Sequence, residues 1–127
     1  MLKSVSAFSG FSVKDQAEAL DFYTNKLGLK VDDTNMGLEV HLPGSDASVF
    51  VYPKENHEPA SFTVLNFIVE DIDAAVDQLK EAGITLEVYE GMGQDEKGIA
   101  RGKSADMGPD IAWFKDPSGN VLSVLKN

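Results

Sequence analysis

The sequence predicts an α+β fold built from two βαβββ modules, and three observations carry that prediction. A Phe-x-Val-x-Asp pattern occurs twice, at Phe11–Asp15 and at Phe67–Asp71. Each copy leads into a stretch of helical apolar spacing that ends in glycine, at Gly28 and at Gly83. Short extended runs bounded by turn residues then follow each glycine. The aspartates are 56 positions apart (71 − 15) and the glycines 55 (83 − 28). Self-similarity at a near-constant offset is the mark of a duplicated unit.

The first module opens on a strand through Phe11-Ser12-Val13. Asp15 is placed as a helix N-cap, and Glu18, three residues on, stands in a capping-box relation to it. Ala19, Leu20, Phe22, Tyr23 and Leu27 mark one buried stripe on a helix over Asp15–Leu27. Gly28 suits the left-handed position that ends a helix. Three strands are expected next, Leu29–Asp33, Leu38–Leu42 and Ala47–Tyr52, with turns at Thr34–Gly37 and Pro43–Asp46. Pro53–Ala60 is a polar connector. The second module repeats the plan: a strand through Phe67 and Val69, a cap at Asp71, and a helix from Ile72 to Ala82. Ile72, Ala75, Val76, Leu79 and Ala82 form its stripe, and Gly83 ends it. Strands follow at Thr85–Glu90, Ile111–Lys115 and Val121–Lys126, the last two joined by the turn Asp116–Asn120. The glycine-rich segment Gly91–Pro109 reads as a mobile loop beside a site. The modules span about 1–53 and 61–127, flank a connector at 53–60, and share a single domain, as a chain of 127 residues allows.

Composition excludes several function classes. The chain is 43% hydrophobic, enough to fill a core, and contains no cysteine. Disulfides, a thiolate nucleophile, Cys-ligated zinc and iron–sulfur clusters are therefore out. No run of apolar residues is long enough to span a membrane. Met1–Ser4 has no apolar stretch of the secretory type, so a cytoplasmic protein is expected. Twenty-one acidic against eleven basic side chains give a net charge of −10. One arginine, Arg101, and scattered lysines cannot array cations against phosphates, so no nucleic-acid partner is expected. A field of this sign draws cations.

Local catalytic motifs are absent. No Gly-x-Ser-x-Gly or phosphate-cradling loop occurs, and no Ser–His–Asp arrangement is supported locally. Of the two histidines, His57 lies in the polar connector and is expected to be solvated. His41 alternates with apolar residues in Leu38-Glu39-Val40-His41-Leu42, so Glu39 and His41 share one strand face. Such a pair can contact a ligand, move a proton, bind a metal with a third donor, or simply be solvated. Phe50 and Tyr52 share a face of their own strand, and Asp106 and Asp110 flank a Gly-Pro turn.

Three motifs carry a family resemblance: Val13-Lys14-Asp15, Phe22-Tyr23-Thr24-Asn25-Lys26-Leu27-Gly28-Leu29, and Phe114-Lys115-Asp116-Pro117-Ser118-Gly119-Asn120. With the two βαβββ halves, they resemble the vicinal oxygen chelate superfamily. That superfamily includes glyoxalase I, extradiol dioxygenases, fosfomycin-modifying enzymes and bleomycin-resistance binding proteins. The resemblance implies a curled, cleft-containing mixed sheet with the helices on the outside. It turns Ser6, Phe8, Gly10, Ser12, Phe62, Val64, Asn66, Ile68, Ile111, Trp113, Val121, Ser123 and Leu125 toward the cleft. It also implies a homodimer.

Metal-dependent members of that superfamily carry ligands on the first and last strands of each half. The corresponding positions here are Phe8, Val64 and Ser123, so the metal is expected to be missing. The expected function is a metal-free small-molecule binding protein with no cofactor, sequestering an aromatic or cationic ligand. Its ligand-binding residues are expected to be Phe8, Glu39, His41, Phe50, Tyr52, Phe62, Val64, Asn66, Trp113 and Ser123. The alternative is a lyase or dioxygenase with a divalent metal relocated to Glu39 and His41.

Overall fold

A computed structural model describes all residues from Met1 to Asn127. The chain divides into two compact units, Met1–Pro59 and Ala60–Asn127. The first contains β1 (Ser9–Val13), α1 (Gln16–Asp21), β2 (Val31–Asp33), β3 (Leu38–His41) and β4 (Ser48–Pro53). The second contains β5 (Thr63–Ile68), α2 (Ile72–Glu81), β6 (Leu86–Glu87), β7 (Ala100–Arg101), β8 (Asp110–Lys115) and β9 (Val121–Lys126). Each unit has its own mixed sheet, ordered β1-β4-β3-β2 in the first and β5-β9-β8-β6 in the second, with β7 also pairing β8. β1 runs parallel to β4 and β5 parallel to β9, while the other pairs are antiparallel. The predicted α+β fold is thus present as two mixed sheets, neither of them closed.

Strand parity decides what each sheet offers. In the first sheet Val13, Leu38, Val40, Val49 and Val51 are buried together with Ala19, Phe22 and Tyr23 of the helical stretch. Burying each such side chain is worth roughly 1.5–3 kcal/mol, so a one-residue slip of register would be prohibitive. In the second unit Ala112, Phe114, Leu122 and Val124 are buried with Ile72, Ala75, Val76 and Leu79 of α2.

Both helices begin as expected. The Asp15 carboxylate accepts from the Glu18 backbone N–H at 2.8 Å, and Asp71 accepts from that of Ala74 at 3.0 Å. α2 closes in a Schellman arrangement: Ile84 N–H donates to Leu79 C=O and Gly83 N–H to Lys80 C=O, both at 3.0 Å, with Gly83 at φ 83°. The first helix departs from expectation. α1 gives way to a π-helical turn over Phe22–Lys26, in which Leu27 N–H reaches back to Phe22 C=O. The Thr24 hydroxyl donates to Leu20 C=O at 2.5 Å, competing for a carbonyl of the α ladder. This turn takes up the one residue by which the aspartate and glycine offsets differ.

The segment Gly91–Pro109 is not a free loop throughout. The Gln94 side chain accepts from Tyr89 N–H at 2.7 Å and donates to the carbonyls of Glu87 and Gly98 at 2.9 and 2.8 Å. Ile99 and Ala100 are buried, and β7 joins the sheet. Arg101 grips Asp73 of α2 through both terminal nitrogens, at 3.0 and 2.8 Å, and reaches Asp95 at 3.0 Å. Lys97 adds contacts to Asp73 at 3.0 Å and Asp77 at 3.2 Å. The expectation of a mobile loop therefore fails over Gln94–Arg101, while Lys103–Gly108 is exposed. The predicted strand Thr85–Glu90 shortens to Leu86–Glu87 because Gln94 takes the backbone groups beyond it.

Hydrogen bonds from Arg101 and then Lys97 hold the Asp73 carboxyl well below its ordinary 3.8. The lowered value means that Asp73 adds stability above its unfolded pKa and loses it as pH falls toward the native one. Asp73→Asn is expected to lower the melting temperature by a few degrees at neutral pH. In paired melts, that gap is expected to shrink as pH drops below about 3.8. A gap that stays constant across this range would contradict the assignment.

Candidate functional site

The face of each sheet turned away from its helix carries the chemistry. On the first sheet the cross-strand rows are Ser12 opposite Tyr52, then Gly10 opposite Phe50 opposite Glu39 opposite Asp32, then Ser48 opposite His41. Residues opposite one another share a face. Phe50 and Tyr52 are stacked, with ring centroids 5.7 Å apart and an interplanar angle of 18°. Phe8, just before β1 and 77% exposed, meets Phe50 edge-on at 6.3 Å. A Cβ at Gly37 would lie 2.8 Å from the Phe50 ring and 2.9 Å from the Val51 carbonyl oxygen. Gly37 is thus the slot into which that ring fits.

Next to this aromatic group lies a polar cluster. His41 Nε2 is 2.8 Å from an Asp32 carboxylate oxygen and 4.0 Å from one of Glu39. Ser48 Oγ donates to Glu39 at 3.3 Å. The hydrogen bond to His41 holds the Asp32 carboxyl below its ordinary range. Glu39 and His41 share a face as parity requires, and the β2–β3 register adds Asp32, a partner that no local spacing in the sequence reveals. One donor atom from each of the three lies within 4.8 Å of the others.

The second sheet repeats the theme with other residues. Trp113 stands opposite both Glu87 and Ser123, and Ile111 opposite Leu125. Tyr89 meets Trp113 edge-on at 5.5 Å. Burial, and then the Glu87 charge, push the Tyr89 phenol upward. Glu87 also lies 3.3 Å from Lys115. Ser123 is fully buried and donates to Asn66 Oδ1 at 2.5 Å. β5 carries a bulge between Thr63 and Leu65, so Thr63 stands opposite Val121 while Asn66 stands opposite Ser123. Parity counted back from Asn66 therefore does not fix where Val64 and Phe62 point. Val64 is half-buried, and Phe62 lies before the strand at 68% exposure.

His57 corrects its sequence reading. The ring is half-buried, with Nδ1 2.7 Å from Ser12 Oγ, rather than solvated. Forty-five residues separate the two, too far for a local pattern to show.

The sequence profile of the glyoxalase/bleomycin resistance protein/dioxygenase superfamily matches residues 7–124. Among solved structures, TnmS3, an antibiotic binding protein from Streptomyces sp. CB03234, is 25% identical over 98% of each chain, with a TM-score of 0.65. A glyoxalase/bleomycin resistance protein from the same Streptomyces is also 25% identical, over 94% of this chain and 99% of that one, with a TM-score of 0.60. The fosfomycin resistance protein FosX from Listeria monocytogenes is 12% identical over 99% and 95% of the two chains, and its TM-score of 0.68 speaks to the fold alone. No curated protein matches the chain. With a βαβββ first unit, a second unit that adds the short strand β7 to the same plan, and a profile match that runs almost from end to end, the chain belongs to the glyoxalase/bleomycin resistance protein/dioxygenase superfamily.

Proposed function

We propose that the protein binds a small flat molecule, aromatic and preferably cationic, and sequesters it without transforming it. The observation that carries this reading is Glu39 directly opposite Phe50, whose ring is stacked on Tyr52. Aromatic faces hold flat organic molecules, and a neighbouring carboxylate favours those with positive charge. Trp113 opposite Glu87 repeats the combination in the second unit. The net charge of −10 supports the same sign of ligand. Support for binding as such comes from the antibiotic binding protein TnmS3.

The superfamily's metal positions do not fit a cation in this chain. Phe8 and Val64 are hydrocarbons, and the Ser123 hydroxyl is engaged by Asn66. No step is therefore routed through a metal at those positions. A homodimer in the cytoplasm completes the proposal. No helix is long and apolar enough to cross a membrane. β1 and β5 each stand at an edge of their sheet, and a second copy would cover such edges.

Tryptophan and tyrosine fluorescence, titrated with N-methylphenanthridinium and with uncharged phenanthridine, checks the ligand class. The cation is expected to bind about tenfold more tightly. Glu39→Gln is expected to erase that preference. Phe50→Ala, and Gly37→Ala, which displaces the Phe50 ring, should weaken both ligands. Equal affinity for cation and neutral isostere in the unmodified protein would refute the cationic preference. For the oligomer, sedimentation at micromolar concentration should show a dimer, and a persistent monomer would remove that part of the proposal.

The competing reading, an enzyme with a relocated divalent metal, is favoured by the convergence of Asp32, Glu39 and His41. Metal stoichiometry after incubation with nickel, zinc, manganese or iron(II) separates the two. Sub-stoichiometric metal, unchanged in His41→Ala, is the expected result. One tightly held ion per chain that His41→Ala loses would establish the competitor.

A further inference from the structure

We propose that Ser12 is an acylatable nucleophile with His57 as its general base, giving the first unit an esterase-type activity toward aryl esters. The serine lies on the open face of β1, opposite Tyr52, and is half-buried. Its Oγ is 2.7 Å from His57 Nδ1, within the range at which a base takes a proton directly. Backbone hydrogen bonds hold the connector that carries the imidazole. Lys54 N–H donates to Val13 C=O at 3.0 Å, extending the β1–β4 ladder by one bond. His57 N–H then donates to Lys54 C=O at 3.0 Å, folding the connector back toward β1. A hydroxyl and an imidazole brought together from two segments of chain supply the nucleophile–base part of the geometry that covalent catalysis needs.

The substrate class follows from the neighbours. Tyr52, opposite Ser12, and Phe50, stacked on Tyr52, offer an aromatic surface to an aryl leaving group. In the neutral tautomer carrying its proton on Nε2, His57 accepts the Ser12 proton as Oγ bonds to the ester carbonyl carbon. The tetrahedral adduct collapses, the ester C–O bond breaks, and the aryloxide leaves with that proton as a phenol. Water then attacks the acyl carbon, giving one proton to Nδ1. The acyl–Oγ bond breaks, the carboxylic acid departs, and Ser12 regains the proton.

The test uses the full chain with p-nitrophenyl acetate, reading phenolate release in the first turnover and locating the acetyl group by peptide mass mapping. A burst of about one phenolate per chain is expected, with the acetyl group on Ser12. Ser12→Ala should abolish it. His57→Gln can still hydrogen-bond to Ser12 but offers no base of comparable strength, and should slow the burst by about a hundredfold. Circular dichroism and phenanthridinium binding are expected to be unchanged in both variants, which separates this activity from the ligand-binding reading. Acetyl groups confined to lysines and the amino terminus, or a burst that Ser12→Ala retains, would overturn the proposal. So would a burst rate that His57→Gln leaves intact, since the pair would then serve only to fasten the connector to β1.

Discussion

The period-two alternation of the first sheet governs the site. Val13, Leu38, Val40, Val49 and Val51 are buried, as are Ala19, Phe22 and Tyr23 of the helical stretch. Their neighbours in sequence then have no choice of face: Ser12, Glu39, His41, Phe50 and Tyr52 emerge together on the other side. The exposed face is thus aligned by the residues buried beneath it. Shifting any one strand by a single position would exchange the hydrophobic anchor for the polar face, an error that several kcal/mol of burial opposes.

The second unit obeys the same rule but fixes its ends with polar groups. The buried Asp116 carboxylate accepts from the backbone N–H groups of Ser118 and Asn120 at 2.9 Å and from the Asn120 side chain at 3.0 Å. Gly119 at φ 86° completes the turn, so β8 and β9 meet in one register. That register is what puts Trp113 beside Ser123. On the opposite flank, Arg101 and Lys97 fasten the chain before β8 to the first turns of α2 through Asp73 and Asp77, while Asp95 holds Arg101 from within the same segment. An acidic protein with one arginine has placed it where three elements converge.

How much of this was legible in the sequence depended on the range of the interaction. Caps at Asp15 and Asp71, the glycines after the helices, and the shared face of Glu39 and His41 are local patterns, and they could be read directly. Asp32 could not, because its approach to His41 depends on the β2–β3 register. The bulge at Thr63–Leu65 hid the facing of Val64 because an inserted residue breaks the alternation on which the reading relied. The Ser12–His57 contact spans two segments that only the folded chain joins. Gln94 lay inside an apparent loop and gave no periodic signal, although a side chain that both donates and accepts among glycines is suited to pinning backbone.

The π-helical turn at Phe22–Lys26 makes the first helix a length buffer. One residue added to an ordinary α-helix rotates everything beyond it by about 100°. Here both ends are fixed, at the Asp15 cap and at Gly28, whose φ of 71° commits the chain to its exit toward β2. The surplus residue is absorbed by widening one turn instead, which lets the adjacent Phe22 and Tyr23 both point inward. An insertion that would otherwise have re-aimed β2, and Asp32 with it, leaves the strands in phase. The two halves could therefore drift apart in helix length while keeping the same sheet geometry.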